Sequence, residues 1–139
     1  DYPALLSLGD TLGCKIILDE SFCRLAQCDA LVAEADRWVP NIRLSKMGGL
    51  LRSLAVAERC AAIGVRFVIG AQVGESSILT RLALALAHQM RSSLVAQEGA
   101  FGTYLLAHDV VDAPLMFGAL GELPAPPPGP GLGLQCDIS

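Results

Sequence analysis

Residues 41–49 read NIRLSKMGG. The stretch alternates polar and apolar side chains and then stops at a glycine pair. A β-strand turns successive side chains to opposite faces. A strand over 41–45 therefore places Asn41, Arg43 and Ser45 on one face and Ile42 and Leu44 on the other. A polar strand face in so apolar a chain either meets water at a sheet edge or lines a site. The flanking sequence decides between the two.

Outward from this stretch, strand-like and helix-like runs alternate. Residues 15–19, KIILD, are a short β-branched run that ends in a carboxylate. Residues 22–36 carry a rough helical stripe of Phe22, Leu25, Ala26, Leu31, Val32 and Ala35. Downstream, Gly48 and Gly49 punctuate the strand, and residues 50–63 are amphipathic and stop at Gly64. Residues 65–72, VRFVIGAQ, predict a strand, and 76–90 a helix with Ser76 or Ser77 as its cap. Residues 93–98, SLVAQE, predict a fourth strand. The strand ends fall near Asp19, Ser45, Gln72 and Glu98, roughly 25–30 residues apart, the size of one βα unit. Such a series predicts a parallel sheet with helices on its outer face. Polar residues gather at each strand's C-terminal end: Asp19 and Glu20, Arg43, Ser45 and Lys46, Gln72 and Glu75, Gln97 and Glu98. That end is where α/β sheets and barrels bind ligands.

Composition agrees with this class. Of 139 residues, 53% are hydrophobic and only 17% charged, as expected for strands buried on both faces. The formal charge of −4 argues against nucleic acid as a partner. No run of about 18 apolar residues would span a bilayer, and Asp1-Tyr2-Pro3 does not open a signal peptide. The five cysteines form no CxxC pair, which predicts free thiols in the cytoplasm and no zinc site. Leu5, Leu6, Leu8 and Leu12 follow Pro3 at near-helical spacing, so an element begins with the chain itself. That suggests a piece of something longer.

After Gly102 the pattern changes. The stretch 104–111 fits a turn of helix or a short strand, and 124–133, PAPPPGPGLG, fits neither helix nor central strand. Leu132-Gly133-Leu134 is a candidate last edge strand. The expected division is 1–102, the βα series, and 103–139, a segment that packs on something else.

These runs in order, KIILDES (15–21), NIRLSKMGGL (41–50), GAQVGESSILTRLALALA (70–87), AQEGAFG (96–102) and PGPGLGL (128–134), resemble the C-terminal half of the enolase superfamily. The nearest likeness is to its mandelate racemase and muconate-lactonizing branch. The resemblance implies the α/β fold of the C-terminal half of a (β/α)₇β barrel, strands five to eight, with a last segment that returns to a capping domain. It implies a Mg²⁺-dependent racemase, epimerase, cycloisomerase or dehydratase that removes a proton α to a carboxylate. A non-catalytic ligand-binding relative and an inactive half-barrel are the alternatives. The expected partners are a small carboxylate substrate and the N-terminal half, or a second copy of the chain.

The resemblance also assigns residues. Asp19 matches the third of three carboxylate ligands to Mg²⁺, where its strand-end position alone also fits a helix cap. Arg43 stands where that branch usually has Lys. Arginine keeps its proton at neutral pH, so Arg43 fits a fixed cation that binds or polarises a carboxylate, or a structural ion pair, better than a base. The base would then lie elsewhere, which suits a one-base elimination. Lys46 is the second cation, expected in the strand–helix turn beside the metal-ligand shell. Gln72, Glu75 and Glu98 are the candidate substrate-binding residues, and an acidic residue at 98 would favour a substrate with a positive or polar group. Both glutamates also fit surface or helix-cap roles. His88 and His108 are expected to be structural.

Overall fold

The structure, a computed structural model, describes residues 1–99, 102–123, 125 and 128–136. Helix α1 (Tyr2–Leu12) leads into strand β1 (Ile16–Leu18), followed by a 3-10 helix (Leu25–Glu34) and strand β2 (Trp38–Arg43). A helical turn, α2 (Leu44–Met47), precedes helix α3 (Leu50–Ala62), and strand β3 (Phe67–Gly70) follows. Helix α4 (Ser77–Gln89) connects to strand β4 (Leu94–Gln97), and the short helix α5 (Gly102–Leu105) comes next. The four strands form one parallel sheet in the order β1-β2-β3-β4, as the βα alternation predicts.

Leu18, Trp38, Ile42, Phe67 and Ile69 cover one face of the sheet and are buried with Val56, Ala57 and Cys60 of α3 and Ala83, Leu86 and Ala87 of α4. Tyr2, Leu5 and Leu6 of α1 pack against the same cluster, and the Tyr2 and Trp38 rings lie 5.0 Å apart. By strand alternation, Ile17, Asp19, Val39, Asn41, Arg43 and Val68 fall on the opposite face. There Ile17 is 61% exposed. On the same face Val39, Asn41 and Val68 are buried, and the outer edges of β1 and β4 pair with no strand among the described residues.

The expected strand over 41–45 is displaced. It runs from Trp38 to Arg43, because Trp38, Val39 and Pro40 pair with Ile16, Ile17 and Leu18 while Asn41, Ile42 and Arg43 pair with Val68, Ile69 and Gly70. Pro40 stands where β2 changes partner, a place where a missing N–H is tolerated. After Arg43 the chain curls into α2, burying Leu44 and leaving Ser45 exposed, so Ser45 does not share the strand face with Asn41 and Arg43. Gly48, with φ 87°, ends this turn in the left-handed conformation that glycine adopts freely.

The helix expected over 22–36 is a 3-10 helix over Leu25–Glu34. Its buried residues, Cys28 and Leu31, are three apart, matching three residues per turn, and Val32 of the expected stripe is exposed. Gln27 fixes its start: Oε1 accepts the Cys23 and Arg24 N–H groups at 2.8 and 2.9 Å.

Beyond α5, residues 131–133 form a turn rather than the candidate strand at Leu132–Leu134, and the pairing instead joins Val111 to Cys136 in an antiparallel bridge. Pro124, Pro126 and Pro127 of the proline-rich stretch lie outside the described residues, as do Ala100 and Phe101 of AQEGAFG. The later segment is tied to α4. Asp109 Oδ2 accepts the Ser77 N–H at 3.0 Å and the Ser77 hydroxyl at 2.7 Å, and the Leu115 N–H donates to Ser77 Oγ. Ser76 is the N-cap residue of α4, as expected, but its side chain makes no cap hydrogen bond, and Asp109 from outside the helix takes the Ser77 N–H.

Candidate active site

Three strand ends bring the predicted polar residues together. Asp19 follows β1, Arg43 closes β2, and Lys46 sits one helical turn beyond. The Arg43 Nη2 donates to Asp19 Oδ2. Arg43 Nη1 donates to Gln72 Oε1 at 3.1 Å and stands 3.4 Å from Glu20 Oε1. Lys46 Nζ lies 2.7 Å from Asp19 Oδ1 and 2.6 Å from the Asp19 carbonyl oxygen. The Lys46 side chain is only 9% exposed. Asp19 thus has one cation on each carboxylate oxygen, and Arg43 ties Asp19, Glu20 and Gln72 across the end of the sheet.

Asn41 belongs to this cluster, although only its strand face was legible from the sequence. Its Nδ2 donates to Asp19 Oδ2 at 3.3 Å, while its buried Oδ1 has no partner. Gly70 makes the room: a Cβ there would stand 2.1 Å from Asn41 Oδ1. Gly70 pairs with Arg43, two residues along β2 from Asn41, so spacing in the sequence does not show this approach. Arg43 Nε is likewise buried without a partner. Unmatched polar atoms of this kind are costly unless something else satisfies them.

Gln72, Glu75 and Glu98 line a neighbouring open pocket of about 250 Å³ with Ala71, Val73 and Leu105. A bulge in β4 brings Glu98 there. Phe67 pairs with Leu94 but Val68 with Ala96, so Val95 is the extra residue and the later side chains change face. Glu75 is only 6% exposed and accepts the Gln72 N–H at 3.0 Å. Burial pushes the Glu75 carboxyl above the usual glutamate range, against the Gln72 N–H and the Arg43 charge, which pull it down. Gln72 and Glu98 are exposed. His88 lies in the last turn of α4 and His108 after α5, both exposed.

The Mg²⁺ implied by the resemblance needs about six oxygen ligands. Asp19 offers hard carboxylate oxygens at the right end of the strand, yet Arg43 and Lys46 hold both of them. No group of three or more His, Cys, Asp or Glu among the described residues could hold a metal ion. The described residues do not fit a complete Mg²⁺ site by themselves.

A parallel βα sheet with charged side chains collected at the C-terminal strand ends is the arrangement found in α/β barrel domains. The enolase C-terminal domain-like family matches residues 1–139, and the chain belongs to the enolase superfamily, in its mandelate racemase and muconate-lactonizing branch. Among solved structures, it is 32% identical to 2-chloromuconate cycloisomerase from Rhodococcus opacus 1CP, with a TM-score of 0.77 over 94% of this chain and 34% of that one. It is 27% identical to muconate lactonizing enzyme from Pseudomonas putida, with a TM-score of 0.75 over 94% of this chain and 35% of that one. N-succinyl Arg/Lys racemase from Bacillus cereus ATCC 14579 shares the fold, at 19% identity and a TM-score of 0.69 over 88% of this chain and 31% of that one. No curated protein matches. The chain spans about a third of the length of the solved structures it matches. The described residues contain no helix long and apolar enough to cross a membrane.

Proposed function

We propose that this chain forms the C-terminal part of an isomerase or lyase barrel that removes a proton α to a carboxylate. The observation that carries the reading is the Arg43 guanidinium, fixed at the strand ends between Asp19, Glu20 and Gln72. Arg43 binds the substrate carboxylate and stabilises the charge that develops on it when the α-proton leaves. Glu20 is 76% exposed and its contact with Arg43 is long, so it is the partner an incoming carboxylate displaces. Gln72 then orients the bound acid, and the carboxylates of Glu75 and Glu98 favour a substrate bearing a positive or polar group beyond its carboxylate.

Neither cation is the base. Arginine holds its proton, and the Lys46 ammonium is fixed by two oxygens of Asp19. Lys46 instead positions Asp19. The base comes from a segment outside these residues, and the reaction is of the one-base kind, an elimination or dehydration. Asp19 is the ligand this chain offers to Mg²⁺ in a complete barrel. The remaining oxygen donors must come from the same outside segment, and Lys46 or Arg43 must yield an oxygen.

The same reading makes residues 1–102 the barrel portion and 103–139 the segment that packs on a capping domain. It places the protein in the cytoplasm, where free thiols persist. It also assigns the open edges of β1 and β4 to the N-terminal half of the barrel or to a second copy of the chain. The exposed Ile17 and Val95 on those edge strands support this.

The test is hydrogen exchange in D₂O with Mg²⁺, using a complete-barrel protein that carries this chain and a panel of carboxylic acids with acidic α-protons. Deuterium at the α-carbon of one acid class supports the proposal, and no exchange with any acid contradicts it.

A second reading, a relative that binds a carboxylate without turning it over, is favoured by arginine at position 43. Saturable binding of an acid without exchange would single it out.

A further inference from the structure

On the helical side of the sheet, away from the charged strand ends, two cysteines face each other. Cys28 of the 3-10 helix and Cys60 of α3 place their Sγ atoms 3.8 Å apart, although they are 32 residues apart in the chain. Both are fully buried in the hydrophobic cluster. Cys14 and Cys136 are exposed, and Cys23 donates instead to the Glu20 carbonyl oxygen.

We propose that Cys28 and Cys60 are a dithiol modification site that hydrogen peroxide converts to a disulfide, stapling the 3-10 helix to α3. A disulfide needs the sulfur atoms about 2.05 Å apart. The remaining approach is within reach because Cys28 is on a 3-10 helix, whose hydrogen-bond geometry is poorer than that of an α-helix. A surface hollow bordered by Leu25, Asp29, Ala55 and Arg59 lies beside the pair without reaching either thiol. Asp29 and Arg59, each next in the chain to one of the cysteines, pair across it at 2.7 Å. The proposed oxidation requires that exposed pair to open for peroxide to enter. The two thiols are not equivalent. The Cys60 hydrogen bond, with help from the Arg59 charge, lowers the Cys28 pKa, while the same bond and burial raise that of Cys60. Cys28, on the more easily opened 3-10 helix, is taken as the nucleophile and Cys60 as the resolving thiol.

The Cys28 thiolate attacks one peroxide oxygen, the O–O bond breaks, and the departing hydroxide leaves as water with the Cys28 proton. The resulting Cys28 sulfenic acid is attacked by Cys60 sulfur. An S–S bond forms, the S–O bond breaks, and the second hydroxide leaves as water with the Cys60 proton. Two thiols lose two electrons, and one peroxide becomes two waters. A dithiol reductant reverses the change.

The experiment uses the purified, reduced protein and a variant with Cys14→Ser, Cys23→Ser and Cys136→Ser. Each is treated with hydrogen peroxide, quenched, alkylated in urea and mapped by peptide mass spectrometry. The expected product is one Cys28–Cys60 cross-linked peptide, two hydrogens lighter than the reduced pair and lost on adding dithiothreitol. A higher urea midpoint should accompany it. In the unsubstituted protein, oxidation of the exposed Cys14 and Cys136 is the positive control. Cys28 and Cys60 still alkylated after that control has reacted would overturn the proposal. So would Cys28 driven to sulfinic acid with Cys60 still free, or a cross-link that forms only in denaturant.

Discussion

Lys46 reaches back from the turn after β2 to place its Nζ 2.7 Å from Asp19 Oδ1 and 2.6 Å from the Asp19 carbonyl oxygen. The contact links the ends of β1 and β2 beyond the last rung of their ladder, and it is mostly shielded from water. Lys46→Met keeps the apolar stem and removes the ammonium. Charge-assisted hydrogen bonds of this kind contribute about 1.5–3 kcal/mol, so the variant should lose about 2 kcal/mol in urea unfolding. A loss below about 0.5 kcal/mol would reduce the contact to an ordinary surface pair.

Gly70 and Asn41 make a paired prediction. Gly70→Ala drives a Cβ into Asn41 Oδ1 and should cost about 1–3 kcal/mol, the range for overpacking. Asn41→Ala removes the obstacle along with an unpartnered buried oxygen. The double variant should therefore be more stable than Gly70→Ala alone. A thermodynamic cycle on thermal or urea melts measures this coupling. Additive losses would contradict the steric account.

Asp109 holds the later segment to the start of α4 by accepting two hydrogen bonds from Ser77. Asp109→Ala should cost about 1–2 kcal/mol, as loss of a helix cap does. Hydrogen exchange should quicken at the Ser77 and Leu115 amides and change little in β2. Uniform loss of protection would point to global unfolding instead.

Glu75 sets a pH dependence. Burial raises its carboxyl pKa in the folded state, so the folded protein holds that proton to higher pH than the unfolded chain does. The associated stability is complete below the ordinary glutamate pKa and is lost as the pH rises through the folded value. Urea midpoints measured across the mildly acidic range should fall with rising pH from this group's share. Glu75→Gln should flatten that part of the profile while leaving an acceptor for the Gln72 N–H.

The strand-and-helix alternation was legible because each run keeps its own hydrophobic period, and the family was legible because five short runs occur in order. Local pattern alone did not fix where β2 ends. Residues 41–45 alternate cleanly, yet the curl after Arg43 is set by burying Leu44 and by the glycine pair. The residues at 22–36 were misread for a related reason. An apolar stripe does not separate a helix of 3.6 residues per turn from one of three until the partner face on α3 selects Cys28 and Leu31. Asp19, Arg43 and Lys46 could be picked out as charges at strand ends. That both cations fall on one carboxylate depends on side-chain reach across two strands, which spacing does not encode. The facing of Cys28 and Cys60 was hidden in the same way, since their separation in the chain is long and neither belongs to a local motif.

Arg43 is the cation that receives the substrate carboxylate in the proposed reaction. The direct test is α-proton exchange in D₂O by a complete-barrel protein carrying Arg43, Arg43→Lys or Arg43→Gln, on whichever acid the unsubstituted protein exchanges. The account predicts that Arg43→Gln lowers exchange by about 100-fold or more, as removal of a transition-state donor does, and that Arg43→Lys retains more of it. Exchange by Arg43→Gln at the unsubstituted rate would contradict it.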